Sequence, residues 1–486
     1  MSLLEMDPWS DSLFSGEWTE CSGEMVGVIE PATGDELGRI ALANADDVWT
    51  AARAATTAQR HWAKTPYQER AAILRRAGDL LVEHASEIED WIIREAGSVK
   101  SKAQLETEFA QQECYEASAL PSHPLGQILA TAKPRLSLAR RIPAGVVGVI
   151  SPFNFPLILS IRSVAPALAL GNSVLLKPDP RTVVCAGFTI ARIFEEAGLP
   201  PGVLRVLPGD AELGVALVEA PEVSVISFTG STAAGRRIAE VAGRRLKRVH
   251  LELGGNSALV ILDDADLDRA MGAAAFGSFI HQGQVCMTTG RHLVHESLVE
   301  EYVSRLAAKA NLLSVGDPAR EPVALGPVID ERQRDQIHEL VTASRDAGAT
   351  IAAGGTYEDL FYRPTVVSDV RLDTPVWCEE VFGPVAPVMP FSSLDEAAQL
   401  ASDTEYGLSL GIITRDVMKG YELADRISSG LVHINDQTVD DEAVVPFGGL
   451  AASGTGARLG GASANIEAFT EGQWLTMQGQ VGDYPF

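Results

Sequence analysis

Five short segments hold residue types that could do carbonyl chemistry. Cys286 ends Gln282-Gly283-Gln284-Val285-Cys286, after a helical pattern and beside a glycine. A thiolate presented there can attack an electrophilic carbon, although free cysteine is also a common core filler. Glu252 lies in Leu251-Glu252-Leu253-Gly254-Gly255-Asn256, at the end of an apolar strand-like run. A carboxylate so placed is costly to bury, so it is paired, protonated or exposed at the strand end. A salt bridge is one reading; a general base whose pKa is raised by its apolar neighbours is the other. Asn154, in Ser151-Pro152-Phe153-Asn154-Phe155-Pro156, can donate to a developing oxyanion or cap the next helix. Lys177, before Pro178, can reach a ribose or phosphate from a strand end, or be a solvated charge. Residues 228–235 read Phe-Thr-Gly-Ser-Thr-Ala-Ala-Gly between a strand and a helix. Backbone N–H groups point at anions in such a place, but the spacing is not G-x-G-x-x-G, and a plain strand–helix turn accounts for it equally.

These residues need a scaffold. From residue 145 short apolar runs (146–150, 173–176, 203–207, 223–227, 249–253) alternate with helix-length segments (163–170, 183–197, 211–219, 233–242). Five buried-type strands and four helices predict a parallel, doubly wound sheet, with ligands at the carboxyl ends of its strands. A second α/β alternation follows. Asp264 is the expected N-cap of a helix over 267–280, with strands at 292–295, 365–368, 386–389, 410–413 and 431–434 and helices near 298–309, 332–346, 394–402 and 417–428. Residues 71–95 predict one amphipathic helix ended by Gly97. Residues 121–142 alternate without a following helix, as an antiparallel ribbon would, and the tail carries Trp474, Tyr484 and Phe486. Both features call for a partner surface.

Composition narrows the classes. The chain has 486 residues, 46% hydrophobic and 21% charged, which excludes a disordered, collagen-like or disulfide-scaffold protein. The 39 basic and 65 acidic side chains sum to −26, a charge that repels nucleic acid and anionic lipid. The run Arg244, Arg245, Lys247, Arg248 is the counter-signal, read as solvating a helix end. Cysteines at 21, 114, 185, 286 and 378 are odd in number, widely spaced and without C-x-x-C. That argues for a reducing compartment and against a disulfide framework or zinc site; no metal is expected. The N-terminus lacks the basic and apolar regions of a signal peptide. The most apolar stretch, 145–176, contains Asn154, Arg162, Asn172 and three prolines, so it reads as core rather than a membrane span. A cytoplasmic protein is expected.

Taken together and in order, these segments resemble the aldehyde dehydrogenase superfamily from about residue 25 to the C-terminus. Glu379-Glu380-Val381-Phe382-Gly383-Pro384 is similar to its E-E-x-F-G-P cofactor motif, and Pro446-Phe447-Gly448-Gly449 with Ser453-Gly454 to its late active-site loop. Residues 453–461, with Glu467-Ala468-Phe469-Thr470 and Gln473-Trp474, resemble the benzaldehyde and vanillin dehydrogenase branch. The resemblance implies an α/β fold. Its parts would be a Rossmann-type cofactor domain (1–120 and 143–252), a catalytic α/β domain (253–455), and an antiparallel oligomerisation ribbon with the tail (121–142 and 456–486). It implies a homodimer or homotetramer and NAD(P)-dependent oxidation of a small aldehyde, preferably aromatic, to the acid. Cys286 would be the nucleophile, Glu252 the base and Asn154 the oxyanion donor. Lys177, Gly230, Ser231, Gly235, Glu380 and Phe382 would hold the cofactor, and Phe155 and Phe447 would face the substrate. Asp441, in the nearby loop 439–445, is a separate candidate to receive a ring hydroxyl. Having Glu252 favours hydrolysis over transfer to CoA. An aliphatic or semialdehyde dehydrogenase and a catalytically inactive nucleotide-binding or structural relic are the competing readings. The chain departs from the pattern at Pro180, where a ribose-binding glutamate is common, and at Phe153, which replaces a tryptophan. Loss of that carboxylate, with Arg181 available to attract a 2′-phosphate, predicts NAD as cofactor with NADP accepted.

Overall fold

The computed structural model describes residues 2–4, 9–21 and 23–486. Five strands pair in parallel in the spatial order Arg248–Glu252, Val223–Thr229, Val146–Ile150, Ser173–Lys177, Leu204–Val206. The antiparallel pair Ser12–Phe14 and Trp18–Glu20 extends the far edge. The order reverses beside Val146–Ile150, the first of the five in sequence. Its neighbour on one side is Ser173–Lys177 and on the other Val223–Thr229, which makes this the switch point where open α/β sheets take ligands. The strands Val146–Ile150 and Ser173–Lys177 are buried along their whole length, which is why they read as continuous apolar runs rather than alternating ones.

The expected connections are present, with the helices Pro156–Ala169, Thr189–Glu196, Ala211–Glu219 and Thr232–Arg244. The expected single helix over 71–95 is two helices, Tyr67–Glu83 and Ala85–Ala96, broken at His84 (φ −107°, ψ 13°). Periodicity continues across a one-residue bend, so it cannot reveal one. Gly97 does end the second helix, with φ 65°.

A second seven-stranded sheet runs Thr350–Ala353, Thr365–Ser368, Val385–Phe391, Thr289–His295, Ser257–Ile261, Ser409–Ile413, Leu431–Ile434. Every neighbouring pair is parallel except the first. Ser257–Ile261 lies near its centre and was not anticipated. Only four residues, Leu253-Gly254-Gly255-Asn256, separate it from Arg248–Glu252 of the first sheet. Asp264 does not cap the next helix. Asp266 does, accepting from the amides of Asp268 and Arg269 at the start of Leu267–Phe279. The Asp264 carboxylate instead accepts from Thr414 Oγ1 and the amides of Arg415 and Asp416.

The ribbon pairs Gly126–Ile128 with Leu136–Pro143, and Thr470–Met477 lies antiparallel along the other side, from Thr470 opposite Pro143 to Met477 opposite Leu136. The basic run does more than solvate a helix end. Arg248 Nη1 donates to the carbonyls of Glu467, Ala468 and Thr470, tying this strand to the first sheet. No described helix is long and apolar enough to cross a membrane.

Candidate active site

Cys286 follows a strained turn. The helix Leu267–Phe279 runs into the 3₁₀ turn Ile280–Gly283, where His281 (φ 48°), Gln282 (φ 56°) and Gly283 (φ 69°) are successively left-handed. Two non-glycine residues in that region cost free energy, and the surroundings must hold them there. Gln282 Nε2 does so by donating to the carbonyls of Gly97 (2.9 Å) and Pro327 (2.6 Å). A Cβ on Gly283 would stand 2.1 Å from the Gly383 carbonyl oxygen, so the approach needs glycine. The half-buried Cys286 then packs in a small apolar cluster of Val285, Met287, Leu408 and Phe447, with Phe155 and Val439 against it. Burial above all, then the nearby charges of Glu380, Glu252 and Asp441, push its thiol up to about 12.

Asn154 is 3% exposed and its side-chain amide donates to the Gln284 carbonyl at 2.8 Å. It is not the cap of the following helix. Glu106 is, accepting from the amides of Leu157 (2.8 Å) and Ile158 (3.2 Å). Lys102, fully buried and paired with Glu106, donates to the Asn154 carbonyl at 2.8 Å. The Asn154 backbone is thus anchored from below while its side chain turns to the cysteine loop. The Phe155 ring lies between the Lys102 ammonium, 4.2 Å from its centroid, and the His281 ring, 5.6 Å away.

Glu252 is 6% exposed and forms no salt bridge among the described residues, which disposes of the plainer reading. Its Oε2 is buried without a hydrogen-bond partner. Burial holds the carboxyl well above the usual carboxylate range, against the opposing pull of Arg458, the Gly449 amide and Arg162. Gly448 lets the late loop lie against it, since a Cβ there would stand 2.8 Å from Glu252 Oε1.

The cofactor candidates line the carboxyl edge of the first sheet. Glu252 pairs with Thr229, Phe228 with Ile150, and Ile150 with Lys177. Lys177 is 7% exposed, and its ammonium makes no hydrogen bond or ion pair among the described residues. Ser231 caps the helix Thr232–Arg244 by accepting from the Ala234 amide. The amides of Thr232 and Ala233, at the positive end of the helix, are left without an intrahelical acceptor. Gly235 is needed for packing, as a Cβ would meet Leu253 Cδ2 at 2.3 Å. Glu380 reaches across Gly254 and Gly255, accepting from the Gly255 amide at 3.0 Å, and burial raises it to about 7. Phe382 (φ 50°) stands edge-on to Phe153, with ring centroids 5.9 Å apart.

One expectation needs correcting. Arg181 is not free to attract a phosphate. It forms two hydrogen bonds with Asp179 (both 2.9 Å), a third with Asp330 (2.6 Å), and covers the Phe153 ring at 4.2 Å.

The structure therefore gathers Cys286, Phe155 and Phe447 in one cluster, sets Asn154 against the cysteine loop, and places Glu252 within electrostatic reach of the thiol. Lys177 and residues 230–235 lie along the adjoining edge. Lys102, Glu106 and Arg458 carry no reactive motif of their own and act through other groups. Arg162 had a legible signal as the one charge in the helix Pro156–Ala169.

A thiol behind a strained turn, a buried carboxyl, and a lysine with no polar partner among the described residues at a switch point are parts that a thiol-dependent dehydrogenase needs. Residues 18–475 match the model of the Aldehyde dehydrogenase family, and the chain belongs to that family. It is 66% identical over 486 residues to a vanillin dehydrogenase of Amycolatopsis sp., covering all of both chains. It is 49% identical to a benzaldehyde dehydrogenase [NAD(+)] of Pseudomonas putida, covering 99% of each. Among solved structures, a salicylaldehyde dehydrogenase from Pseudomonas putida G7 complexed with salicylaldehyde superposes with TM-score 0.94 at 34% identity, covering 98% of this chain and 99% of that one.

Proposed function

We propose that the protein oxidises aromatic aldehydes to carboxylic acids with NAD, through a thioester on Cys286. The observation that carries the aromatic reading is that Cys286 and Phe155 both pack against one apolar cluster that contains Phe447. Ring-edge and ring-face contacts there favour a flat substrate by about 0.5–1.5 kcal/mol each beyond area burial. The vanillin and benzaldehyde dehydrogenase relatives support the same reading.

The residues divide the work. Cys286 Sγ, once deprotonated, adds to the aldehyde carbon. The Asn154 amide has two N–H donors; one is held by Gln284, and the other is available to the developing oxyanion together with the Cys286 backbone N–H. When bound, the nicotinamide supplies the acceptor for the hydride that leaves the tetrahedral adduct. Glu252 then takes a proton from water, which attacks the resulting thioester and frees the acid and the thiol. A carboxyl raised by burial suits that task, because its conjugate base is stronger than an ordinary carboxylate.

The free amides of Thr232 and Ala233, the unpaired Lys177 and the Glu380 carboxyl fit a dinucleotide, with Lys177 and Glu380 toward its riboses and residues 230–235 toward its phosphates. Phe382 flanks the same side. NAD is favoured over NADP because Asp179 and Asp330 already occupy Arg181; NADP remains a weaker substitute. Residues 1–120 with 143–252 serve as the cofactor domain and 253–455 as the catalytic domain. The ribbon 121–142 with 456–486 serves as the oligomer contact of a homodimer or homotetramer in the cytoplasm.

The test is kcat/KM for benzaldehyde against a linear aldehyde of similar carbon number, with NAD and with NADP. Benzaldehyde with NAD should be fastest. A tenfold advantage for the linear aldehyde would leave only the family assignment standing.

A further inference from the structure

Arg162 stands alone as a charge in the apolar helix Pro156–Ala169, and it is 3% exposed. Its guanidinium is held from two sides. Nε donates to Glu113 Oε1 at 2.9 Å, and Nη1 pairs with Asp441 Oδ2. The same guanidinium covers the Phe447 ring, 5.1 Å from its centroid. One cation thus faces two carboxyl groups in a buried setting, an arrangement costly in desolvation and weak evidence for a purely stabilising role.

Two acceptor atoms near this group are left over. Glu252 Oε2 and Asp441 Oδ1 are both buried without a hydrogen-bond partner. The first is accounted for by the water it activates. The second has no use in the reaction. Its position relative to the reacting sulfur is constrained from several directions. Val439, two residues before it, packs in the Cys286 cluster. Phe447, six residues after it, belongs to that cluster and carries Arg162.

We infer that Asp441, held by Arg162, is a specificity-determining residue that accepts a hydrogen bond from a ring hydroxyl of the substrate, so that the enzyme selects phenolic benzaldehydes. This rests on the aromatic reading above and adds to it. The ion pair commits Oδ2 to Arg162 and leaves Oδ1 as an acceptor. A phenolic O–H satisfies it; a ring hydrogen or a methyl ether does not. Leaving the buried acceptor unpaired lowers selectivity toward those analogues by about tenfold to a hundredfold. Glu113, on the far side of Arg162, positions the guanidinium and does not meet the substrate.

The experiment measures kcat/KM on the full-length enzyme for benzaldehyde, 3- and 4-hydroxybenzaldehyde and their two methyl ethers, with a linear aldehyde alongside. At least one hydroxy isomer should exceed both benzaldehyde and its own ether by about tenfold or more. Because the hydroxy compound is intermediate in size, an advantage over both neighbours is not a matter of fit. In the Asp441→Ala variant the hydroxyl-to-ether ratio should fall toward one, and likewise in the near-isosteric Asp441→Asn, whose oxygen turns to Arg162 and whose NH2 donates to hydroxyl and ether oxygens alike. If neither variant folds, absence of a hydroxyl advantage in the wild type still overturns the inference. No hydroxyl advantage in the wild type, or a ratio that survives Asp441→Ala, overturns the inference. If aromatic aldehydes still outrun the linear one in that case, the proposed function stands and the Asp441 role alone falls. If the linear aldehyde wins, the aromatic reading itself has failed.

Discussion

The Asn154 side-chain amide donates a 2.8 Å hydrogen bond to the Gln284 carbonyl, two residues before Cys286. The proposed oxyanion donor and the proposed nucleophile are therefore fixed to one another through a backbone segment of two residues. The donor itself stands on Lys102, which holds the Asn154 carbonyl. Asn154→Ala should lower kcat/KM by about 100–1000-fold, the usual cost of one oxyanion donor. Alkylation of Cys286 by iodoacetamide should persist in that variant. Wild-type turnover in it would remove the amide from the reaction.

Cys286→Ala should abolish aldehyde oxidation while NAD binding, read by titration calorimetry, stays in the wild-type range. The thiol lies in the apolar cluster with Phe447, whereas the candidate dinucleotide contacts lie along the carboxyl edge of the first sheet. Retained turnover would place the nucleophile elsewhere.

Glu252 should impose a pH dependence whose sign follows from its burial. The carboxyl is held well above the ordinary range, and only the deprotonated form accepts a proton from water. Turnover limited by thioester hydrolysis should therefore rise with pH, with a midpoint well above that of an exposed glutamate. Glu252→Gln should give a burst of NADH close to one equivalent per active site, then little steady turnover. Normal steady turnover in that variant, with Cys286 still required, would exclude Glu252 as the base.

Much of this site was legible because each reactive residue lies at the end of an element whose pattern is strong. Lys177 and Glu252 close strands buried along apolar runs, and residues 230–235 join a strand to a helix. What was illegible depends on long-range contact. Nothing near Arg181 announces that Asp330, 149 positions away, pairs with it. Glu106 caps a helix that begins 50 residues later, so a local search for caps assigns that role to Asn154. The strand Ser257–Ile261 was hidden because the chain passes from one sheet to the other through four residues that include two glycines. Local pattern reports what an element is; which partner satisfies a buried charge is decided by the packing of distant segments.

Glu380 heads the charges that raise the Cys286 thiol, and burial raises Glu380 itself to about 7. Glu380→Gln removes that charge, so iodoacetamide should alkylate Cys286 several-fold faster at neutral pH. The same variant tests a linkage. A carboxyl raised in the folded state stabilises the fold below its ordinary pKa and loses that contribution as pH rises through about 7. The decline of the thermal midpoint between about pH 4.5 and 7 should thus be shallower in Glu380→Gln. Identical alkylation rates and identical pH profiles would show that Glu380 is not an electrostatic neighbour of the thiol.

Lys102 offers the sharpest separation of position from chemistry. Its ammonium is fully buried, pairs with Glu106 and donates to the Asn154 carbonyl. Lys102→Met leaves Glu106 buried without its cation, and breaking such a pair costs about 3–5 kcal/mol. Glu106 also loses the partner that orients it and, with it, strength as the cap of the helix Pro156–Ala169, which carries Arg162. The expected result is a lowered thermal midpoint together with a fall in kcat that exceeds any change in KM, because Asn154 is displaced from the oxyanion rather than the substrate from its pocket. A paired Lys102→Met, Glu106→Leu variant removes both charges and should recover much of the stability, since apolar replacement of a buried pair is often near neutral. It should not recover kcat, because the Asn154 carbonyl still lacks its donor. Full recovery of both by the double variant would show that the pair supports the fold alone and leaves Asn154 in place.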